Sequence, residues 1–193
     1  MKKMVVFCGS STGTDPQVVE VAYLLGATLA QRGIGLVYGA ARVGIMGEVA
    51  RGALENGGEV IGVIPAFLKR KEVVHTGLTQ LIVTRTMHER KLRMNELSDS
   101  VMTLPGGFGT LEELFEMITW AQLGLHRKPI GILNVNGYFD ELLRMVQKMV
   151  ALQFLKPENH ELLLVNSNVP DLLQQMAAYI PKPVPKWIQK DQL

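Results

Sequence analysis

The chain has a single cysteine, Cys8, in 193 residues. No intramolecular disulfide framework and no thiolate metal cluster can be built from it. An excess of one charge is also missing. Twenty Lys and Arg against eighteen Asp and Glu leave a net charge of +2, too little for a basic field that would drive sequence-independent nucleic-acid binding. No stretch approaches the roughly 20 apolar residues of a membrane span. The opening run Met1–Cys8 meets Gly9-Ser10-Ser11 too soon for a signal-peptide core. A cytoplasmic protein with no membrane and no nucleic-acid partner is therefore expected. Two familiar nucleotide motifs are absent as well: the first glycine turn is not G-x-G-x-x-G, and no G-K-[ST] occurs.

What is present is ordinary globular material, 47% hydrophobic and 20% charged. Short apolar runs at Met4–Cys8, Gly35–Tyr38, Val60–Ile64, Leu81–Thr84, Val101–Leu104, Ile130–Asn134 and Leu162–Val165 lack polar alternation, as buried parallel strands do. Helical patterns lie between them at Pro16–Arg32, Ile45–Asn56, Met87–Leu97, Leu111–Leu123, Tyr138–Leu152 and Pro170–Ala178. Asp15-Pro16 starts a helix, and Arg32-Gly33 and Asn56-Gly57-Gly58 stop two others. The alternation predicts an α/β fold: a Rossmann-like, doubly wound, mainly parallel sheet of about seven strands with helices on both faces. One domain is expected over residues 1–180, followed by a Pro-rich tail at 181–193. The segment Pro65–Thr79 lacks periodicity and is expected to be a loop over the ligand crevice.

Ligands in such sheets sit beyond the carboxyl ends of the strands. Three small-residue turns fall there: Gly9-Ser10-Ser11-Thr12-Gly13, Gly39–Gly47, and Pro105-Gly106-Gly107-Phe108-Gly109-Thr110. Glycine lets backbone N–H groups approach oxygens, and a helix N-terminus adds positive potential, so a phosphate-bearing ligand is expected. Thr110 to Glu113 also spells an S/T-x-x-E capping box, which alone would account for those two residues. It does not account for Gly106, Gly107 and Gly109 ahead of it. In the helix Met87–Leu97, Arg90 falls on the apolar stripe of Met87, Met94 and Leu97. A guanidinium there needs an anionic partner: Glu113, another carboxylate or a ligand phosphate. His88 has no companions at metal-ligand spacing, so no metal is expected. Cys8, at the end of a buried strand, reads as inert.

Together, Met87-His88-Glu89-Arg90-Lys91 and Pro105-Gly106-Gly107-Phe108-Gly109-Thr110-Leu111-Glu112-Glu113 resemble the M-H-x-R-K and P-G-G-x-G-T-x-x-E signatures of the LONELY GUY family. The resemblance spans about Met4 to Tyr179. It implies a phosphoribohydrolase acting on nucleoside 5′-monophosphates, cytokinin riboside monophosphates and AMP, without cofactor, as a homodimer. The family's catalytic positions match Arg90 and Glu113. Its substrate contacts match Glu72, Arg90, Lys91, Gly107 to Glu113 (Gly107, Phe108, Gly109, Thr110, Leu111, Glu112, Glu113) and Thr119, with Gly106, Gly9 and Ser10 as further candidates. The family is often labelled a lysine decarboxylase, but no lysine here stands in a recognisable Schiff-base setting. One departure stands out: the family's Y-G-G-G-x-x-G-L-M-G is Tyr38-Gly39-Ala40-Ala41-Arg42-Val43-Gly44-Ile45-Met46-Gly47. Either the alanines are strained, or the backbone differs and Arg42 reaches the ligand.

Two other readings compete. A non-catalytic nucleotide or molybdenum-cofactor carrier on the same fold needs the phosphate cradle but not the carboxylate. A nicotinamide-dependent oxidoreductase needs a dinucleotide fingerprint that is missing. The apolar circumference of helix Leu111–Leu123 (Leu111, Leu114, Phe115, Ile118, Trp120 and Leu123) also predicts a partner surface.

Overall fold

The computed structural model describes residues 1–69 and 74–181. Seven strands form one sheet: β1 Lys3–Phe7, β2 Gly35–Tyr38, β3 Val60–Pro65, β4 Gln80–Thr84, β5 Ser100–Thr103, β6 Ile130–Leu133 and β7 Leu163–Asn166. Between them run α1 Pro16–Gln31, α2 Gly44–Glu55, α3 Ala66–Lys69, α4 Met87–Leu97, α5 Phe108–Gln122, α6 Asp140–Ala151 and α7 Pro157–His160, with α8 Val169–Ala177 last. The strand order is β4-β3-β2-β1-β5-β6-β7 and every pairing is parallel. The chain winds outward from β1 to β4, then returns and winds the other way through β5, β6 and β7. The direction reverses between β1 and β5, which is where such sheets open a crevice at their carboxyl ends.

Alternation along β1 explains why the sheet is covered twice. Met4 and Val6 enter a core with Leu25 and Leu29 of α1, Val49 of α2 and Leu172 of α8. Val5 and Phe7 face the other way, into a core with Met94 of α4, Leu114 and Met117 of α5, and Phe139. All these side chains are buried, and each contributes roughly 1.5–3 kcal/mol of apolar burial. That is why the strands read as continuous apolar runs rather than as alternating ones. No helix among the described residues is long and apolar enough to cross a membrane.

Besides one-residue shifts at element ends and the short helix α7, which the sequence pattern did not indicate, three details differ from the sequence expectation. Helix α5 starts at Phe108, three residues before Leu111. The segment after β3 is not all loop: α3 occupies Ala66–Lys69, and Val74 forms an antiparallel bridge to Ala41. Glu72 lies outside the described residues. Finally, Tyr138 and Phe139 precede α6 rather than open it, after a 3-10 turn at Val135–Gly137. There Asn136 holds a left-handed conformation, with φ 49°.

Candidate active site

The early start of α5 changes how its first turn works. Gly107 is the N-cap, in an extended conformation, and no side chain caps the helix. Thr110 is the third helical residue, so the Thr110–Glu113 capping box does not form. The sequence's working S/T-x-x-E cap is one helix earlier. There the Thr86 hydroxyl accepts from Glu89 N–H at 3.1 Å, and the Glu89 carboxylate accepts from Arg85 N–H at 2.8 Å. An α5 terminus without a side-chain cap leaves first-turn N–H groups open to an anion.

The turn ahead of α5 is pinned. Gly9 N–H donates to the Pro105 carbonyl at 3.0 Å. A Cβ on Gly106 would collide with Thr110 Oγ1 and lie 2.7 Å from Gly9 N, so only glycine fits there. Thr110 is buried against this turn.

A cavity of about 300 Å³ opens above the turn, lined by Cys8, Gly9, Ser10, Met46, Arg90, Gly107, Phe108, Gly109, Thr110 and Glu113. It thus gathers ends of β1, α2, α4 and α5. A second cavity of about 430 Å³ backs onto it. The two share Gly9, Ser10 and Gly107, and the second adds Ser11 to Asp15, Val18, Ile45, Pro105, Gly106 and Tyr138.

Arg90 and Glu113 meet across the first cavity. Arg90 is 7% exposed. Its Nε donates to the Val63 carbonyl at 3.0 Å and its Nη2 to the Gly39 carbonyl at 3.4 Å, which aims the guanidinium from the ends of β2 and β3. Nη1 stands 4.0 Å from Glu113 Oε1, at the outer limit of an ion pair. A Cβ on Gly39 would occupy the guanidinium's place, which accounts for that glycine. Burial pushes Glu113 up from the usual 4.5 to about 7, and Arg90 only partly opposes it. The pair therefore holds a carboxyl close to half-ionised at neutral pH, the condition for a base that works there. Burial, with Glu113 nearby, pushes the Cys8 thiol well above its ordinary range, which disfavours the nucleophilic thiolate.

The neighbouring Lys91 is handled differently. It is as buried as Arg90, but its Nζ donates to Glu112 Oε1 at 2.5 Å and Glu116 Oε1 at 2.9 Å. Burial works against its charge, yet the two carboxylates outweigh it and raise its pKa. Lys91 and Glu112 thus join α4 to α5 outside the cavity that holds Glu113. Leu111 is half-buried. Thr119 is exposed farther along α5 and donates to its own helix, to Phe115 O at 2.7 Å. Phe108 stands 93% exposed at the cavity rim.

In the second turn, Ala40 has φ +69°, so one of the alanines does occupy a left-handed position, at a cost of about 1–2 kcal/mol. Its carbonyl accepts from His75 N–H at 2.9 Å and Ala41 bridges to Val74, contacts that hold the strained conformation. Arg42 is exposed and does not line the Glu113 cavity.

Sequence reasoning missed Met46, Cys8 and Tyr138 as lining residues. The first two stood beside turns already singled out. Nothing local marks Tyr138, which arrives from the far side of β6.

The fold and site together define a doubly wound α/β protein with an uncapped helix terminus beside a buried guanidinium and a largely buried carboxylate. The comparisons narrow this. A family model described as "possible lysine decarboxylase" matches residues 46–176. The chain is 45% identical over 93% of its length to a probable cytokinin riboside 5′-monophosphate phosphoribohydrolase of Oryza sativa, covering 79% of that protein. It is 43% identical over 94% of its length to such an enzyme of Arabidopsis thaliana, covering 83% of it. The chain belongs to this LONELY GUY family. Among solved structures, the molybdenum cofactor carrier protein of Chlamydomonas reinhardtii superposes with a TM-score of 0.68 at 22% identity, covering 92% of this chain and 98% of that one. The molybdenum cofactor binding protein of Rippkaea orientalis gives 0.70 at 23%, covering 92% and 97%. At those identities the likeness establishes the fold alone.

Proposed function

We propose that this protein hydrolyses the N-glycosidic bond of nucleoside 5′-monophosphates, cytokinin riboside monophosphates and AMP among them, giving free base and ribose 5-phosphate. The observation that carries this reading is the Arg90–Glu113 pair, largely withdrawn from solvent beside an uncapped helix N-terminus. The α5 terminus holds the 5′-phosphate on backbone N–H groups, which fixes the ribose relative to the helix. Glu113, in the second turn, then faces C1′. Breaking an N-riboside develops positive charge on the ribosyl ring, as O-glycoside cleavage does. The Glu113 carboxylate stabilises that charge and takes one proton from the attacking water as the hydroxyl bonds to C1′; over the whole reaction that proton is balanced by the one the departing base gains. Arg90, aimed by two carbonyls, favours the ionised carboxylate and orients the phosphate or ribose oxygens. Gly9 and Ser10 form the opposite wall. The carrier reading has the same fold in its favour, but a carrier has no use for a carboxyl held near neutrality.

The protein works as a homodimer in the cytoplasm on this reading. Phe108, Phe115 at 37% and Leu92 at 42% exposure leave apolar area on the α4–α5 side, and a second copy covers it. Lys91, Glu112 and Thr119 lie on that side, and their contact with substrate then arises where the two copies meet. Light scattering at micromolar concentration is expected to give twice the chain mass.

The test is incubation with AMP, isopentenyladenosine monophosphate, GMP, CMP and free adenosine, with chromatography of the released base. Base is expected from monophosphates and not from adenosine. Tight nucleotide binding without release from any of them would establish the carrier instead.

A further inference from the structure

The P-G-G turn is held from two sides, and only one belongs to the site already described. Toward β1, the Pro105 carbonyl accepts from Gly9 N–H. Toward β6, the Gly106 carbonyl accepts from the Tyr138 hydroxyl at 2.6 Å. Tyr138 lines the cavity of about 430 Å³ behind the turn, and not the one that contains Glu113. Its ring is braced edge-on by Phe139, with centroids 4.9 Å apart and planes at 87°.

A trans peptide is planar, with its C=O and N–H pointing in opposite directions. A donor that fixes the Gly106 carbonyl toward the rear cavity therefore turns the Gly107 N–H toward the front one. No protein acceptor among the described residues takes that N–H. Gly107 has no side chain to restrain its own peptide plane, and the helix that follows is uncapped. The phenol is thus the group that sets the plane from behind.

We propose that Tyr138 is a positioning residue for phosphate: by holding the Gly106 carbonyl from the rear, it aims the Gly107 N–H at the 5′-phosphate of the substrate. The inference rests on the reading of the α5 terminus as the phosphate site. It adds that a residue beyond β6, outside both family signatures, sets the terminus's affinity for the anion. Because the contact is to phosphate in ground state and transition state alike, its loss raises KM and leaves kcat in place.

Tyr138→Phe removes the hydroxyl and keeps the ring on Phe139. A single neutral hydrogen bond predicts a three- to tenfold effect, roughly. For AMP hydrolysis, KM is expected to rise by about that factor with kcat within twofold of the parent. The inhibition constants of inorganic phosphate and ribose 5-phosphate are expected to rise in parallel, and the melting temperature to stay within a few degrees. Unchanged KM and inhibition constants would overturn the proposal, as would a fall in kcat that tracks a lost melting temperature. Calorimetric AMP binding is measured alongside and needs no turnover. If the parent binds AMP but releases no base, the hydrolase reading fails, while weaker AMP binding by Tyr138→Phe still supports the positioning role. Equal binding by parent and variant refutes that role whatever the turnover.

Discussion

Arg90 and Lys91 are consecutive residues of one helix, both cationic and both almost wholly buried, yet their surroundings differ in kind. Lys91 has two carboxylates at hydrogen-bond distance, Glu112 and Glu116. Its charge is matched inside the protein. Arg90 has two carbonyls, and its one carboxylate, Glu113, stands 4.0 Å off with a pKa near 7. Its charge is only partly matched. A buried cation that is fully paired fastens two helices. One left partly unpaired, facing a cavity and an uncapped helix terminus, keeps capacity for an anionic ligand. The difference follows from the 100° between successive helical residues, which sends Arg90 to the strand ends and Lys91 across to the outer side of α5.

The contrast can be broken at each end. The largest effect is expected from Glu113→Gln, which removes the proposed base: turnover of AMP is expected to fall at least about 100-fold. The same variant tests the burial argument. The folded-state pKa of Glu113 lies above 4.5, so the fold favours the neutral form. That stabilisation is fully present below about pH 4.5 and is lost as pH rises through 7. Glutamine is neutral at every pH and keeps it. Denaturation at pH 8 is expected to find Glu113→Gln more stable than the parent, by up to about 3 kcal/mol, with the gap closed at pH 4.

Arg90→Lys retains the charge but loses the planar fork that reaches the carbonyls of Val63 and Gly39. A loss of at least about tenfold in kcat/KM is expected, with folding retained, and steady-state kinetics beside a melting curve checks both. Lys91→Met sharpens the comparison from the other side. It is expected to lose about 1–3 kcal/mol of stability in a urea titration, since Glu112 and Glu116 lose their shared donor, with a smaller activity loss than Arg90→Lys. If Lys91→Met proved stable and Arg90→Lys unfolded, the roles drawn above would be reversed. The smallest effect is expected from Thr86→Ala. It removes the cap of the helix carrying both cations and costs about 1 kcal/mol, loosening both equally and leaving kcat unchanged.

Much of this was legible in the sequence, because parallel strands covered on both faces must be apolar throughout. All seven strands fall within one residue of their apolar runs at each end, β1, β5 and β7 by a shift of one as a whole, and α4 matches to the residue. Arg90 was visible because a guanidinium in an apolar stripe is anomalous. The start of α5 was not, because Thr110 and Glu113 imitate a capping box while the true N-cap, Gly107, has no side chain to signal it. The partners of Arg90 were hidden for another reason. They are backbone carbonyls of Val63 and Gly39, alike in every residue, and only the sheet order brings them together. The Ala41–Val74 bridge and the Tyr138–Gly106 contact are long-range in the same sense, and no local pattern encodes them.

The proposed function places the chemistry on one carboxyl, Glu113, raised to a pKa of about 7 by burial and acting in its ionised form. Its most direct test is kcat/KM for AMP from pH 5 to 9, in the parent and in Glu113→Gln. The parent is expected to gain activity as pH rises through about 7 and then to level off. The residual activity of Glu113→Gln, which carries only the ionisation of the phosphate itself, is expected to lack that step. Superimposable profiles for the two proteins, or a parent rate that falls through neutrality, would contradict the account.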